Sequence, residues 1–388
     1  MKSFDVAIIG GGIIGVTAAY YLAKRGKSVV LLEQNQLAQG TTGNSFAWIN
    51  ASSKAAEGKY HHLNAQGLAG YNELAFEFGE NALGLNPCGM LSIVPTADRS
   101  RYNELRAQWR LLTELKYPVA WVDSKDLPDL EPSINLDQDY EALLSFTELS
   151  LDAPLFVRFI ASQFSALGGE ILENCAAVSL DIDEDGGIRG LESINGPIPA
   201  QNVLLAAGPH IAEQLAQLTG FEGFASRFPL RQSEGLLLTT PDLSPRHLVR
   251  RVIYWEETSD LHVLPHFSGG LRIGADGTDG MIADHDNEKT RRAAAEILLQ
   301  RVRERIIGFP NDISVDDCNI SIGIRAVPED GHSIADLLPG ADNLYIIATH
   351  SGITLAPILG KLMAEFIDSG TRPEILSPFS LKRFPGFQ

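Results

Sequence analysis

Residues Phe4 to Glu33, which read FDVAIIGGGIIGVTAAYYLAKRGKSVVLLE, constrain this chain more than any other stretch. Val6 to Ile9 is an apolar run suited to a buried parallel strand, and Gly10, Gly12 and Gly15 then supply G-x-G-x-x-G at the turn into a helix. Gly10 permits the tight turn, Gly12 lets a pyrophosphate approach the backbone, and Gly15 lets the helix sit close on the strand. The helix is expected to run to about Arg25 with its N-terminus facing the phosphates, and Gly26 offers a left-handed stop. Val29 to Leu32 forms the next strand, and Glu33 ends it as a carboxylate that can accept from both ribose hydroxyls and would repel a 2′-phosphate. These parts occur in the order and at the separations of a dinucleotide-binding unit, so the chain is expected to hold an ADP-containing cofactor.

At 388 residues, 44% of them hydrophobic, the chain exceeds what one core usually organises, and two domains are expected. A net charge of −18 disfavours binding to a nucleic-acid backbone or an anionic membrane. Cys88, Cys175 and Cys318 lie far apart with no C-x-x-C, which suggests neither a disulfide framework nor a zinc site. His61 and His62 lack the i, i+4 spacing that puts two ligands on one helix face, so no metal is expected. Asp5 interrupts the apolar start, which reads as mature structure rather than a signal peptide. No apolar span reaches transmembrane length, and a reducing cytoplasm is the expected location.

After Glu33 the chain enters Gln39-Gly40-Thr41-Thr42-Gly43-Asn44-Ser45, a stretch of hydroxyls and pliable backbone suited to wrapping a second polar arm of the ligand. The apolar run Phe46 to Ile49 follows at once and implies burial beside something. Helices are expected over His61 to Gly79, Arg99 to Leu115, Pro154 to Leu167 and Glu288 to Ile307, with a turn-rich connector at Leu127 to Pro132. Strands are expected at Glu170 to Leu172, Ala176 to Leu180 and Val203 to Gly208, the last ending in Ala206-Ala207-Gly208, small residues that allow close approach of a cofactor. Gly235 to Thr239, Leu261 to Leu264 and Leu271 to Gly274 read as a separate antiparallel layer. The C-terminal part returns to the pattern of the opening unit, in that Leu344 to Ala348 is a buried strand, Ser351-Gly352 turns, and a helix is expected to begin near Pro357.

Together these segments resemble the FAD-dependent amino acid and amine oxidoreductases of the D-amino acid oxidase superfamily over nearly the whole chain. Besides the opening unit, the likeness lies in Leu151-Asp152-Ala153-Pro154, Leu204-Leu205-Ala206-Ala207-Gly208-Pro209 and Pro229-Leu230-Arg231 leading to Gly235. It is strongest in Gly323-Ile324-Arg325-Ala326-Val327-Pro328-Glu329-Asp330-Gly331 and in the turn Ala348-Thr349-His350-Ser351-Gly352-Ile353-Thr354. The chain departs from the family pattern at Ala326, Ala335 and Thr349, where relatives carry proline, glycine and glycine.

The resemblance implies an α/β fold, α+β overall, with a Rossmann-like FAD-binding domain, discontinuous in sequence (1–85, 146–212 and 320–388), and an antiparallel-sheet substrate domain (86–145 and 213–319). It places FAD along Gly10, Gly12, Ile13, Ile14 and Gly15, with Glu33 and Gln34 at the ribose and Val178 beside the adenine. Thr41, Thr42, Gly43, Asn44 and Ser45 would follow the phosphate and ribityl region, Ala207, Gly208 and Arg325 would approach the flavin, and Gly352, Ile353 and Thr354 would face its pyrimidine edge. The attachment cysteine of some relatives would fall at Gly323 here, and no histidine stands in Thr41 to Trp48, so the flavin is expected to be non-covalent.

The implied reaction is oxidation of the Cα–N bond of an amino acid or secondary amine by hydride transfer to flavin N5, the imine then hydrolysing, with O2 or a quinone as electron acceptor. Arg325 would hold the substrate carboxylate, unless it is a structural partner of an acid such as Glu329 or Asp330, and His350 is a second catalytic candidate. Two other readings remain. A 2-hydroxy acid dehydrogenase would need a base, with His262, His266 or His350 available. A flavin-holding regulatory or tRNA-associated protein would leave the separate sheet and the arginine unexplained.

Overall fold

The structure, a computed structural model, describes residues 2–183, 187–218, 221–246, 248–257, 260–284 and 286–387. Strand Phe4–Ile9 lies at the centre of a parallel sheet, between Val29–Leu32 on one side and the second half of Gly196–Leu205 on the other. Glu170–Leu172 extends the sheet beyond the former, Leu344–Ala348 extends it beyond the latter, and Ile334–Leu337 closes that edge antiparallel. Val6 and Ile8 pack into one core while Ala7 and Ile9 pack into another on the opposite face. Burial on both faces is why this strand reads as an unbroken apolar run rather than an alternating one.

One face is covered by helices Ile13–Lys24, Lys59–Phe78, Ala153–Ala166 and Gly352–Ser369. The other is covered by the hairpin of Ala177–Ile182 and Ile188–Ser193 together with the C-terminal segment around Leu381 to Phe387. Strand Gly196–Leu205 joins the two systems, because its first residues pair antiparallel with Ile188–Ser193 and its last run parallel to Phe4–Ile9. Pro197 and Pro199 hide that extension from a sequence reading, since proline cannot donate to a ladder.

A second sheet of eight strands lies alongside, in the order Asn319–Pro328, Leu230–Thr239, Leu271–Ala275, Leu261–Pro265, Val252–Trp255, Met90–Pro95, Tyr140–Ser145, Val119–Val122. Its described pairings are antiparallel apart from Val252–Trp255 beside Met90–Pro95, which run parallel. Helix Glu288–Arg305 packs Ala294, Ala295, Leu298, Leu299 and Val302 into the core of this sheet. The expected boundary at residue 320 groups all of strand Asn319–Pro328 but its first residue with the nucleotide unit, yet this strand pairs along its length with Leu230–Thr239 and so forms the edge of the larger sheet. The chain returns to the parallel sheet only after Pro328. A small third sheet joins Trp48–Ile49, Leu149–Leu151 and Leu85–Asn86.

Two local expectations need correction. Leu127–Leu130 forms a helical turn in place of a bare connector. Helix Gly352–Ser369 begins five residues ahead of Pro357, so the proline stands inside it. Pro357 has no N–H to offer the carbonyl of Ile353. The hydroxyl of the buried Tyr71 donates to that carbonyl instead, at 2.5 Å, which lets the helix start at the cavity described next.

Candidate functional site

A cavity of about 550 Å³ opens where the C-terminal ends of the parallel strands meet the face of the larger sheet. Gly12, Ile13 and Ile14 border it after strand Phe4–Ile9, Ala206 and Gly208 after Gly196–Leu205, and Thr349 to Thr354 after Leu344–Ala348. Loops at the carboxyl ends of parallel strands are where open α/β sheets place ligands.

The glycines of the opening motif divide into two kinds. A Cβ at Gly15 would stand 2.0 Å from the Gly10 carbonyl oxygen, so that glycine is required for the helix to sit on the strand. A Cβ at Gly12 would meet only Thr42 Oγ1, at 3.3 Å, so the chain itself leaves that side of Gly12 open. Helix Ile13–Lys24 has no side-chain cap at Gly12, and Thr42 Oγ1 accepts from the Ile13 N–H at 3.1 Å. Glu33 is fixed beside this turn: Oε2 accepts from the Gly11 N–H and Oε1 from the Asn35 N–H, both at 2.8 Å. A helix start whose N-cap residue is a glycine with no side chain to offer, an open face at that glycine and an oriented carboxylate together suit a dinucleotide.

The other half of the cavity suits a flavin by the same test. Helix Gly352–Ser369 also starts without a side-chain cap, and its first three residues border the cavity. Their free N–H groups and the positive helix end would favour negative charge at a ring edge placed there. Loop 41–45 is tied down by Thr41 Oγ1 donating to the Ile324 carbonyl and by Ser45 Oγ donating to the Thr42 carbonyl. The buried Arg272 reaches from the larger sheet to donate to the Ser45 carbonyl at 2.5 Å and to Thr239 Oγ1 at 3.3 Å. Gly323 allows the loop to lie against the edge strand, since a Cβ there would be 2.3 Å from the Asn44 carbonyl oxygen.

Across from the glycine turn the wall is aromatic and charged. His262 lies parallel to Tyr254, ring centroids 5.8 Å apart, and takes the edge of Phe46 at 4.6 Å. Its Nδ1 is buried with no partner among the described residues, and burial pushes its pKa down to about 3. His350 faces the cavity, with Nδ1 2.8 Å from Ser351 Oγ, and burial followed by the charges of Lys54 and Arg325 lowers its pKa to about 4. Burial and the neighbouring Asp260 and Asp279 raise the pKa of Asp276.

Arg325 borders the cavity and is already engaged. Its Nη2 donates to Asp279 Oδ2 at 2.8 Å and to the Glu234 carbonyl at 2.9 Å, while Nε reaches the Ser233 carbonyl at 3.4 Å. Asp279 is held in turn by the Leu236 N–H at 2.9 Å. The structural partner of Arg325 is therefore Asp279 rather than Glu329 or Asp330, and Asp330 pairs with Arg383. Only Nη1 has no partner among the described residues, so a two-armed grip on a carboxylate would require Asp279 to let go.

Of the residues singled out in the sequence, Gly12, Ile13, Ile14, Thr41, Thr42, Asn44 and Ser45 border the cavity, as do Gly208, Arg325, His350, Gly352, Ile353 and Thr354. Gly10, Gly15 and Gly43 shape the turns behind it, and Glu33 with Gln34 stands at its nucleotide end. Ala207 lies between two lining residues without lining the cavity itself. Val178 is 46% exposed on strand Ala177–Ile182 and does not border the cavity. Just ahead of that strand, the backbone N–H groups of Asn174 and Cys175 donate to the carbonyls of Asn35 and Glu33 beside the glycine turn. His266 does not border the cavity either.

Lys54, Tyr254, Arg272, Asp276 and Asp279 are not singled out by the sequence pattern. The charged tetrad Asp276-Gly277-Thr278-Asp279, at the end of a buried strand that contains an arginine, is the signal that could have found the last three. Among the described residues no group of three or more His, Cys, Asp or Glu could hold a metal ion, and no helix is long and apolar enough to cross a membrane.

The family profile described as DAO, FAD dependent oxidoreductase, matches residues 5–366. The chain is similar to glycine oxidase of Geobacillus kaustophilus (strain HTA426), 24% identical over 389 residues that take in 99% of this chain and 98% of that one. Among solved structures it is similar to glycine oxidase from Geobacillus kaustophilus, with a TM-score of 0.82 at 22% identity over 100% of both chains. It is also similar to L-proline dehydrogenase from P. horikoshii, with a TM-score of 0.79 at 17% identity over 98% of both. At these identities the solved structures establish the shared fold.

Proposed function

The chain belongs to the DAO family of FAD-dependent oxidoreductases, whose profile spans residues 5–366, and from that premise we propose that it oxidises the Cα–N bond of an amino acid or secondary amine. The observation that carries this reading is one cavity bordered both by the uncapped start of helix Gly352–Ser369 and by the guanidinium of Arg325. The relatives named above are called after glycine and L-proline, both amino acids, which supports the same substrate class.

Bound FAD supplies the two-electron acceptor for the Cα hydride. Arg325 offers Nη1 to the substrate carboxylate, and its other arms, fixed by Asp279, Glu234 and Ser233, set where that carboxylate stands. Phe46, Trp48 and Tyr254 restrict the space and exclude water around the reacting carbon. A substrate bound as the neutral amine needs no residue to take a proton before its hydride leaves. The product imine then hydrolyses in water to a carbonyl compound and the free amine or ammonia, and either O2 or a quinone takes up the electrons.

The flavin is proposed to be non-covalent, because none of Cys88, Cys175 and Cys318 borders the cavity. The 2-hydroxy acid reading has less support. It needs a base whose pKa lies near the working pH, and His262 and His350 sit near 3 and 4.

A panel of amino acids, N-methyl amines and 2-hydroxy acids, scored by anaerobic bleaching of the oxidised flavin, tests the proposal whichever acceptor is used. Amines should bleach the flavin and hydroxy acids should not. Bleaching by hydroxy acids alone, or by nothing in the panel, would sink it. Acid precipitation should leave the yellow colour in the supernatant.

A further inference from the structure

We propose that Lys54 supplies the net positive charge that receives the substrate's carboxylate, with Arg325 contributing one hydrogen-bonding arm beside it. The inference rests on the reading that the cavity takes an amino acid, and it names the residue that selects for the anion. The charge of Arg325 is cancelled by Asp279 at 2.8 Å, and Asp276 borders the same wall. A carboxylate docking against that wall alone would meet no net positive charge.

Lys54, on the short helix Ser52–Glu57, borders the same cavity. Among the described residues its ammonium has neither an ion pair nor a hydrogen bond, and Glu57, three residues on, is engaged by His332 Nε2 at 3.1 Å. Burial lowers the pKa of Lys54, and the charge of Glu57, which acts in the other direction, offsets that only in part. An anion brought to it offsets that desolvation, which is the condition under which a partly buried charge contributes to binding. The depressed pKa of His350 is due in part to both Lys54 and Arg325, so the two cations act on one space.

The backbone that carries Lys54 is fixed from three directions. The buried Glu148 Oε1 accepts from the Ser52 N–H at 3.0 Å and from the Tyr117 hydroxyl at 2.9 Å. Gln108 Nε2 donates to the Ser52 carbonyl at 3.0 Å, and Asn50 Oδ1 accepts from the Ser53 N–H at 3.1 Å and from Ser53 Oγ at 2.5 Å. A lysine on so constrained a segment delivers its charge to a set place with less ordering left for binding.

The test is equilibrium binding to the FAD-loaded enzyme, with acetate as the anionic probe and acetamide as its neutral counterpart, read from the perturbation of the visible flavin spectrum. Wild type should prefer acetate. Lys54→Met should weaken acetate by about 10- to 100-fold, the range for a lost charge-assisted hydrogen bond, and leave acetamide unchanged. Lys54→Arg should restore most of the acetate affinity, and Lys54→Gln serves where the methionine variant does not fold. FAD content and Tm should stay at wild-type values. Acetate affinity within about twofold of wild type in the neutral variants would overturn the proposal. So would equal losses for acetate and acetamide, or no preference for acetate in the wild type. Failure of the amine-oxidation reading would appear elsewhere, as a flavin that no amine bleaches.

Discussion

At the glycine turn, the groups that would meet a dinucleotide come from one short span, Gly10 to Thr42, and most of them are backbone N–H groups or the bare face of a glycine. Across the cavity, Tyr254, His262 and Arg325 come from three different strands, Asp276 and Asp279 from the helix Asp276–Asp284 and Lys54 from the short helix Ser52–Glu57, and each presents a side chain. A site made of backbone can be spelled by a local motif, because the turn fixes where the N–H groups point. A site made of side chains from strands distant in sequence depends on which strands pair, and the local sequence carries little of that information.

The contrast can be broken first at the nucleotide end, where the largest effect is expected. Gly12→Val should fold and lose FAD almost completely, because a Cβ there meets only Thr42 Oγ1 within the protein and the added methyl groups would fill the space beside the turn. Gly15→Ala should instead destabilise the fold by about 3 kcal/mol through overpacking, its Cβ being forced toward the Gly10 carbonyl oxygen 2.0 Å away. FAD content per protein and the Tm of the FAD-free protein separate the two. A Gly12→Val variant that retains FAD would mean that the turn does not meet the cofactor.

The same contrast accounts for what is legible in the sequence. The opening motif, the helix after it and strands such as Glu170–Leu172 and Leu344–Ala348 stand where periodicity puts them, because apolar pattern and turn residues are local. Two prolines hide the first half of Gly196–Leu205, and a third hides the start of Gly352–Ser369. At that helix start a tyrosine from another helix satisfies the carbonyl that proline leaves open. Glu329 and Asp330 suggest themselves as partners of Arg325 only because they are near in sequence. In an extended strand, residues four and five along lie roughly 13 to 17 Å away. Asp279, 46 residues distant in sequence and brought in by the element that follows a strand of the same sheet, is within reach.

At the substrate end the effects should be smaller and graded, since several side chains share the load. Arg325→Met should keep full FAD content and lower kcat/KM for a carboxylate-bearing amine by about 30-fold, roughly 2 kcal/mol, mostly through KM. That is less than a two-armed grip would cost, because only Nη1 is without a partner among the described residues. A loss of about 1000-fold or more would indicate that Asp279 releases the guanidinium when substrate binds, and near wild-type efficiency would remove Arg325 from the site.

A smaller effect tests the border between the two regions. Tyr71→Phe leaves the Ile353 carbonyl without its donor inside a helix that Pro357 already interrupts, and should cost about 1 to 2 kcal/mol of stability. The FAD-loaded protein should lose less Tm than the FAD-free protein if bound cofactor holds the helix start in place. Equal losses would separate the helix start from cofactor binding.

The smallest expected effect concerns the two lining histidines, and it decides whether either serves as a base. The folded protein holds His350 near pKa 4 and His262 near 3, while the unfolded chain titrates them at the ordinary 6.5. Above 6.5 both states are neutral and the histidines leave stability unchanged. As pH falls from 6.5 toward 4 for His350, and toward 3 for His262, the unfolded chain binds protons that the folded one refuses, so these groups lower stability on acidification. Tm should therefore decline less steeply below pH 6.5 in His262→Gln and His350→Gln than in wild type. The pH profile of kcat/KM should carry no histidine limb between about 5 and 8, where both rings are neutral. A limb near 6.5 that disappears in His350→Gln would show that this ring does take a proton in the working range. The side-chain half of the cavity would then hold a general base, and a hydroxyl-bearing substrate would displace the amine.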